Sequence, residues 1–448
     1  MTIYALSTAP GRAGIAVIRI SGRAACNALH ALCRGRFPAP RIASFRRLRH
    51  TRTGEVLDEA VVLWLPGPAS FTGEDMVELH VHGGRAVVAG VLEALASFGL
   101  RLAEPGEFTR RAFGNGKIDL TEAEGLADLI NSETAFQRRQ AIAQHCGALR
   151  GQYELWRATL LRAMAYVEAS LDFSDEGDIA ESAFNEAIPE VRRLVAELNR
   201  ALADGRRGEI VREGIQVAIV GAPNAGKSSL LNALAGREAA IVFHEPGTTR
   251  DVIEVHLDLE GYPVTLLDTA GIHDSLDPIE QEGIRRARAR AADADLVLWV
   301  VDATAPVEMA PKTAADASGS TWVIANKCDL LSADQVKHLE TRFADTVKVA
   351  LSAATGNGLE RLFSEVTSFA ENYFESTEPA LVTRERHRRA LGDAAAALRR
   401  AIAEGPGGRE EMIAEDLRVA ATALGRLVGR VDVEDVLDAI FRDFCIGK

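Results

Sequence analysis

Hydrophobic and polar positions follow different patterns in successive parts of the chain. Over residues 1–118, short apolar runs lie between turn signals, and Met76–His82 alternates apolar and polar residues as a half-buried strand does. Most of residues 119–204 and about 375–445 are instead rich in Ala, Leu, Glu and Arg, which is typical of helices. Residues 214–370 return to strand-like runs that alternate with helical ones. We infer that an α/β segment is inserted into a helical one.

The pattern therefore predicts a multidomain protein of the α/β plus α class. In chain order we expect an N-terminal α/β domain, the first part of a helical domain, an inserted domain with a mixed sheet flanked by helices, and the second part of the helical domain. The corresponding boundaries are 1–118, 119–213, 214–370 and 371–448.

Charge, hydropathy and cysteine usage indicate where in the cell the protein is located. The 448 residues carry a net charge of −13, but residues 1–118 contain 15 Lys/Arg and 9 Asp/Glu, a local balance of +6. No apolar run approaches the roughly 20 residues of a membrane helix, so we expect no membrane span. The start has no signal-peptide pattern, and the five cysteines are scattered without a paired spacing. These features favour a cytoplasmic protein.

The strongest motif lies at the start of the inserted domain. Residues 221–228 have the spacing G-x-x-x-x-G-K-S of a P-loop, with an apolar strand before it and an amphipathic helix after it. Backbone N–H groups of such a loop surround phosphates, the lysine reaches the β/γ oxygens and the serine supplies an oxygen to Mg²⁺. The predicted phosphate-binding residues are Asn224, Ala225, Gly226, Lys227, Ser228 and Ser229.

Further motifs at later strand ends specify the nucleotide as guanine. Residues 268–271 form D-x-x-G, and residues 326–329 form N-K-x-D, whose last carboxylate accepts the N1–H and N2 hydrogens that adenine does not offer. Thr249 is the candidate γ-phosphate sensor and a second Mg²⁺ ligand. The additional predicted nucleotide-binding residues are Thr248, Thr249, Asp268, Thr269, Ala270, Gly271, Asn326, Lys327, Asp329, Ser352, Ala353 and Ala354.

Hydrolysis needs a group that orients the attacking water. Ile272 follows D-x-x-G, where many small GTPases have a glutamine. A carboxylate farther along is the alternative, and the candidates are Asp274, Asp277, Glu280 and Glu282. The Asn224 side chain could hold a monovalent cation in place of an arginine finger, or it could simply stabilise the loop.

Over essentially its full length the chain resembles the MnmE (TrmE) family of tRNA modification GTPases. The segments that carry the resemblance are residues 10–22, 105–113, 223–229, 247–251 and 444–448. The resemblance implies an N-terminal folate-binding domain like that of glycine-cleavage T-protein, a helical domain and an inserted G domain. It also implies a homodimer formed through the N-terminal domains.

The same resemblance implies a reaction and its cofactors. Members of the family act with a partner, MnmG, that carries FAD, and together they add an aminomethyl-type group to C5 of the wobble uridine of certain tRNAs. A tetrahydrofolate, such as 5-formyltetrahydrofolate, carries the one-carbon unit. The cofactors implied are thus GTP, Mg²⁺, K⁺ and the folate.

Several residues take expected roles from the resemblance. Glu280 corresponds to the water-orienting glutamate, and with Lys227 and Asn224 it forms the expected catalytic set. The expected K⁺ ligands are Asn224, Thr248 and the backbone carbonyls of Phe243 and Glu245, with Phe243 also counted in the nucleotide site. The Mg²⁺ ligands are Ser228 and Thr249. The folate contacts are Arg19, Glu78, Lys117 and Lys448, and the other motif residues are Arg250, Asp251 and Cys445.

Two other functions remain open at this point. A GTP-switched ribosome-assembly factor would suit the G domain alone, although it predicts an RNA-binding module and no KH-type G-x-x-G loop in a basic setting is present. A folate-dependent one-carbon transferase with a regulatory GTPase would suit the N-terminal segment.

Overall fold

The chain forms two compact units. The computed structural model describes residues 1–172, 177–236, 240–241, 254–268, 294–305, 320–342, 347–374, 380–404, 410–431, 437, 440–441, 444 and 446–447. The first unit combines residues 1–127, 144–194 and 393–448, and the second combines 128–143 and 195–392. Each unit contains one sheet together with parts of the helical segments. The four domain boundaries given above therefore stay a prediction.

A six-stranded sheet forms the centre of the first unit's N-terminal part. Its strand order is β3-β4-β5-β2-β1-β6, antiparallel throughout except for the parallel pair β1–β6. The strands are β1 (Ile3–Leu6), β2 (Ala13–Ser21), β3 (Ser44–Arg49), β4 (Val56–Leu65), β5 (Met76–Gly83) and β6 (Arg101–Leu102). The accompanying helices are α1 (Ala25–Cys33), α2 (Arg85–Ser97) and α3 (Glu107–Gly114).

Alternation along β2 decides what each face of this sheet carries. Ile18 and Ile20 are fully buried and belong to the core that includes Leu29 of α1 and Leu95 of α2. Arg19 lies between them in sequence, so its side chain points to the opposite face. On that second face a smaller core contains Phe108 of α3. The face that packs against α1 and α2 thus carries the larger apolar core, and Arg19 lies on the opposite face.

The helical segments begin where the sequence pattern changes. Asp119 and Glu122 form a reciprocal cap, because Asp119 Oδ1 accepts the Glu122 N–H at 2.8 Å and Glu122 Oε2 accepts the Asp119 N–H at 2.7 Å. The helices that follow are α4 (Leu120–Asn131), α5 (Ala135–His145), α6 (Ala148–Asp172) and α7 (Gly177–Glu213). Among the described residues, no helix is long and apolar enough to cross a membrane.

The second unit contains a seven-stranded mixed sheet in the order β13-β12-β11-β7-β10-β9-β8. Its first five strands are parallel, whereas β9 runs antiparallel to β10 and β8 antiparallel to β9. The strands are β7 (Ile215–Gly221), β8 (Ala240–Ile241), β9 (Glu254–Leu259), β10 (Tyr262–Asp268), β11 (Leu296–Asp302), β12 (Ser320–Asn326) and β13 (Val347–Ala350). The remaining helices are α8 (Lys227–Ala235), α9 (Ala333–Arg342), α10 (Leu359–Tyr373), α11 (Glu385–Glu404) and α12 (Glu410–Leu427).

The mixed sheet and the helical segments confirm the predicted class. Strand β7 is apolar at almost every position because a parallel strand in the middle of a sheet is covered on both faces. The parallel arrangement also brings the carboxyl ends of β7, β10, β11, β12 and β13 to one edge of the sheet. The P-loop, N-K-x-D and Ser352–Ala354 motifs follow β7, β12 and β13, so the fold collects these three at that edge.

Within the second unit, α7 approaches another segment so closely that only glycine fits. A Cβ on Gly208 would lie 1.9 Å from the carbonyl oxygen of Val382, and one on Gly205 would lie 3.1 Å from the Val382 side chain. A contact below 3 Å to a backbone atom forces the segments apart, so Gly208 permits the packing, whereas Gly205 makes only a tight contact.

We expect Gly208→Ala to destabilise the second unit by about 1–3 kcal/mol, because the new methyl group overpacks the contact with Val382. Gly392→Ala in α11 is the matched control, since a Cβ there meets nothing within 4 Å. That change should be neutral or stabilising by up to about 1 kcal/mol. Urea unfolding followed by circular dichroism measures both. Equal midpoints for the two variants would contradict the proposed close contact.

Candidate functional site

The loop between β7 and α8 follows a path that requires glycine at two positions. A Cβ on Gly221 would lie 2.2 Å from the Val300 carbonyl oxygen, and one on Gly226 would lie 2.2 Å from the Asn326 amide nitrogen. Gly226 also has φ +95°, in the left-handed region. The loop therefore lies tightly against β11 and the end of β12. This close packing explains both glycines of the P-loop spacing.

The loop presents its polar groups at the start of α8. Asn224 is exposed and has φ +63°, whereas Ala225 next to it is buried and anchors the turn. Ser228 and Ser229 are exposed in the first turn of α8. The Lys227 ammonium donates to the carbonyl oxygens of Gly221 at 2.9 Å and Ala222 at 3.0 Å. Backbone N–H groups and a cation at a helix N-terminus suit a phosphate.

Asn326, the last residue of β12, connects this loop to two others. Its side chain is only 2% exposed. The amide nitrogen donates to the Ala225 carbonyl at 2.9 Å, and the amide oxygen accepts the Ala353 N–H at 3.0 Å. The structure thus brings together three motifs, of which the first lies 101 residues before Asn326 and the last 27 residues after it. Asn326 has a positioning role in this arrangement.

The neighbouring lysine is held by a carboxylate that sequence reasoning missed. Lys327 Nζ contacts Asp302 Oδ2 at 2.6 Å, and Asp302 Oδ1 accepts hydrogen bonds from the Thr304 N–H and hydroxyl at 2.9 and 2.6 Å. These bonds, that from Lys327 foremost, lower the pKa of Asp302 to about 2. Because the pKa is depressed, the stabilisation is complete above about pH 4 and is lost as the pH falls towards 2. The sequence signal that could have indicated this carboxylate is an Asp at a strand end followed two residues later by Thr, a pattern typical of an Asx turn.

The residues predicted to recognise the base lie in the next turns. Asp329 is exposed in a short 3₁₀ helix, Cys328–Leu330, whose first N–H donates to the Leu351 carbonyl at 3.1 Å. Ser352 is buried, and its hydroxyl accepts the Thr355 N–H at 3.2 Å. The Ser352 side chain therefore shapes its own loop, which leaves the exposed Ala354 and the partly buried Ala353 nearest to solvent.

Part of the predicted site falls outside the described residues. Asp268 ends β10 beside Ile219 of β7, but its side chain is not described. The other predicted positions outside the described residues are Phe243, Glu245, Thr248, Thr249, Arg250, Asp251, Thr269, Ala270, Gly271, Glu280, Cys445 and Lys448. Within the described ranges, no group of three or more His, Cys, Asp or Glu side chains is arranged to hold a metal ion.

Two of the predicted folate residues lie on the open face of the first unit's sheet. Arg19 and Glu78 are directly opposite each other on β2 and β5, and Arg19 Nε donates to Glu78 Oε1 at 2.8 Å. His80 Nε2 lies 3.3 Å from the second oxygen of Glu78. Lys117 instead donates to the Pro68 carbonyl at 3.0 Å. The structure therefore pairs two of the predicted residues and places Lys117 at a separate contact.

The end of the chain returns to this sheet. Gly447 accepts a hydrogen bond from the Ser7 hydroxyl at 2.9 Å, and Ile446 forms an antiparallel bridge with Pro105. A Cβ on Gly447 would lie 2.3 Å from the Leu6 carbonyl oxygen, so the penultimate glycine permits this approach. The tail thus reaches the end of β1, the strand next to β2.

Two family models match the chain. The family model described as the GTP-binding protein TrmE N-terminus matches residues 2–117. The family model of the MnmE helical domain matches residues 120–445. The chain belongs to the MnmE family. The resemblance inferred from its motifs is thereby confirmed.

Relatives in the MnmE family align over the whole chain. A protein of Parvibaculum lavamentivorans is 54% identical over 100% of both chains. One of Rhodopseudomonas palustris is 52% identical over 100% of this chain and 99% of its own. One of Paramagnetospirillum magneticum is 53% identical with the same coverage. Each of the three is named a tRNA modification GTPase MnmE.

We expect Asn326→Ala to weaken the binding of GTP and GDP alike by about tenfold or more. The change removes two buried hydrogen bonds that hold the phosphate loop to the base loop, and bonds of this kind contribute about 1 kcal/mol each. Titration with fluorescent nucleotides measures the affinities. Wild-type affinity in this variant would show that the loops do not depend on Asn326.

Asp329→Asn should have a different effect, because Asp329 is exposed and makes no such connection between the loops. Its carboxylate is predicted to select guanine, so the preference for GTP over ATP should fall while the loops keep their arrangement. An unchanged preference would contradict the base-recognition role. Competition with ATP in the same titration separates the two variants.

Proposed function

We propose that this chain is the GTP-hydrolysing subunit of an enzyme that modifies C5 of the wobble uridine in tRNA. The group added is aminomethyl or carboxymethylaminomethyl. The observation that carries the proposal is the joining of P-loop, N-K-x-D and Ser352–Ala354 loops through Asn326 in a chain of the MnmE family. GTP is the substrate, and GDP and phosphate are the products.

Each predicted residue of the nucleotide site has a part in this proposal. The amides of the P-loop and the Lys227 ammonium bind the phosphates, and the N-terminus of α8 adds its dipole. Ser228, which is exposed at the first turn of α8, and Thr249 hold Mg²⁺, which supplies positive charge to the phosphate oxygens. Asp329 accepts the guanine hydrogens. Glu280 orients the attacking water.

A potassium ion would supply the charge that an arginine finger provides in other GTPases. Asn224 is suited to hold it because its side chain is exposed on a left-handed turn within the phosphate loop. The other ligands in this proposal are Thr248 and the carbonyls of Phe243 and Glu245.

The open face of the N-terminal sheet is the proposed folate site. Glu78 is held by Arg19 at 2.8 Å, so its carboxylate keeps a fixed orientation while remaining partly exposed at 17%. A carboxylate of this kind accepts the paired N–H groups of a pterin ring, and Lys117 and Lys448 suit the anionic glutamyl tail. Bound 5-formyltetrahydrofolate or a related tetrahydrofolate would supply the one-carbon unit.

The proposal includes partners and a location. We propose a homodimer through the N-terminal domains, an FAD-carrying protein like MnmG as the second subunit, and a cytoplasmic enzyme. Because the whole chain has a net charge of −13, any direct contact with RNA must be made by a local basic surface. The ribosome-assembly and one-carbon-transferase alternatives each account for one part of the chain, whereas the MnmE relatives match all of it.

Potassium dependence tests the catalytic part of the proposal. We expect GTP turnover to be about tenfold or more faster in K⁺ than in Na⁺, because only an ion of suitable size completes the charge around the phosphates. Asn224→Gly keeps the left-handed backbone and removes the side-chain oxygen, so it should abolish the difference and keep GTP binding. Equal wild-type rates in the two salts would remove Asn224 from this role.

The modification itself is tested in cells. We expect tRNA from a deletion strain to lose the C5 group of its wobble uridines, and wild-type chain supplied in trans to restore it. Lys227→Ala, which removes the phosphate-binding ammonium, should not restore it. Mass spectrometry of tRNA nucleosides measures the outcome. Wobble uridines that keep the group in the deletion strain would refute the proposed function.

A further inference from the structure

The first 54 residues contain positive charge only. They include ten arginines and no Lys, Asp or Glu, and the first acidic residue is Glu55. The whole chain has a net charge of −13, so this segment departs strongly from the average. Local ion pairs along the sequence therefore cannot neutralise these arginines. Their position in the fold decides whether they meet acidic side chains from elsewhere.

The fold gathers five of these arginines at one edge of the N-terminal sheet. Two follow the end of α1, two lie on the edge strand β3, and one lies in the turn between β3 and β4. We call this group the arginine edge; its members are Arg34, Arg36, Arg46, Arg49 and Arg52.

Contacts with backbone atoms hold the group together. Arg49 Nη1 donates to the Gly54 carbonyl at 3.0 Å, and a Cβ on Gly54 would lie 3.7 Å from Arg34 Nη2. Arg46 Nη2 reaches the Arg36 carbonyl at 3.5 Å. The guanidinium groups of Arg34 and Arg49 therefore approach the same glycine, and that of Arg46 approaches the backbone of Arg36. Arg52 lies in the turn that leads to Gly54. Two of them are oriented by carbonyl groups, which leaves their other N–H groups for a ligand.

No carboxylate lies within 4.0 Å of any of these five guanidinium groups in the part of the chain that the structure describes. Arg47, on the opposite face of the same strand, does pair with Glu59. Like charges held together without counter-charges destabilise a fold, so an uncompensated group of this size indicates an anionic partner.

The arginine edge is separate from the proposed folate site, because β4 lies between β3 and the strand that carries Glu78. Leu48 belongs to the core under α1 and α2, so Arg46, two positions earlier on the strand, lies on the same side of the sheet. Arg19 lies on the opposite face, between the buried Ile18 and Ile20. A folate bound to Arg19 and Glu78 would not neutralise the edge.

We propose that the arginine edge binds the phosphate backbone of the RNA substrate. This inference rests on the proposed function, which makes tRNA that substrate. All five cations are arginine, whose planar guanidinium donates in pairs to phosphate oxygens, and basic residues collected on one face are typical of nucleic-acid binding. Contacts of this kind position the RNA without reading its sequence.

The test compares two triple variants of the full-length chain with equal change of charge. The first replaces three exposed members of the edge, Arg34→Gln, Arg36→Gln and Arg52→Gln. The control replaces three exposed arginines elsewhere in the same segment, Arg12→Gln, Arg23→Gln and Arg47→Gln. Fluorescence anisotropy with labelled tRNA gives the dissociation constant at several salt concentrations. GTP hydrolysis without tRNA should be equal in both variants and shows that they are folded.

We expect the edge variant to bind tRNA about tenfold or more weakly at 100 mM salt, with a salt slope reduced by about two to three. The control variant should stay close to wild type in both quantities. Equal affinities and slopes for the two variants would overturn the inference. So would an edge variant that keeps tRNA affinity but no longer binds the FAD-carrying protein, because the edge would then contact a protein.

The outcomes also separate this inference from the function on which it rests. If the wild-type chain binds no tRNA and the deletion strain keeps its modified uridines, both fail. If the deletion strain loses the modification and the two triple variants bind tRNA equally, only the arginine edge fails.

Discussion

The buried amide of Asn326 is the interaction on which the nucleotide site depends. It accepts from one loop and donates to another, so the phosphate loop and the base loop keep one relative position. Because the amide is buried, both of its hydrogen-bond partners must be in place. An unsatisfied polar group in that position would cost about 1–3 kcal/mol. The requirement extends to Gly226, whose missing side chain leaves room for the amide. One residue at a strand end thus constrains the sequence of a loop about 100 positions away.

The basic side chains of the two units differ in whether they have an acidic partner. At the nucleotide site, Lys327 is neutralised by Asp302, and Lys227 is turned towards loop carbonyls. In the N-terminal segment, Arg19 is paired with Glu78 across two strands, whereas the arginine edge has no acidic neighbour among the described residues. Paired cations serve to fix geometry, and uncompensated ones are available to a ligand. We therefore assign a positioning role to the paired cations and a binding role to the arginine edge.

Much of the fold and of the site was predictable because it depends on local pattern. The apolar run of β7, the glycine spacing of the P-loop and the helix after it are contiguous in sequence, so periodicity and motif identified them correctly. Asp302 was missed because its importance comes from Lys327, which directly follows the next strand of the sheet and is 25 residues away. The structural role of Asn326 was missed for the same reason: its partners are in loops that only the parallel sheet brings together.

The sequence by itself therefore determined the class of fold, the nucleotide motifs and the membership in the MnmE family, since each depends on residues that are near one another along the chain. Tertiary structure decided which charges are compensated, which glycines are required by a close approach, and that the tail returns to the end of β1. These properties depend on contacts between distant segments. The sequence pattern does not say how far apart such segments lie in space, and only their packing in the tertiary structure decides it.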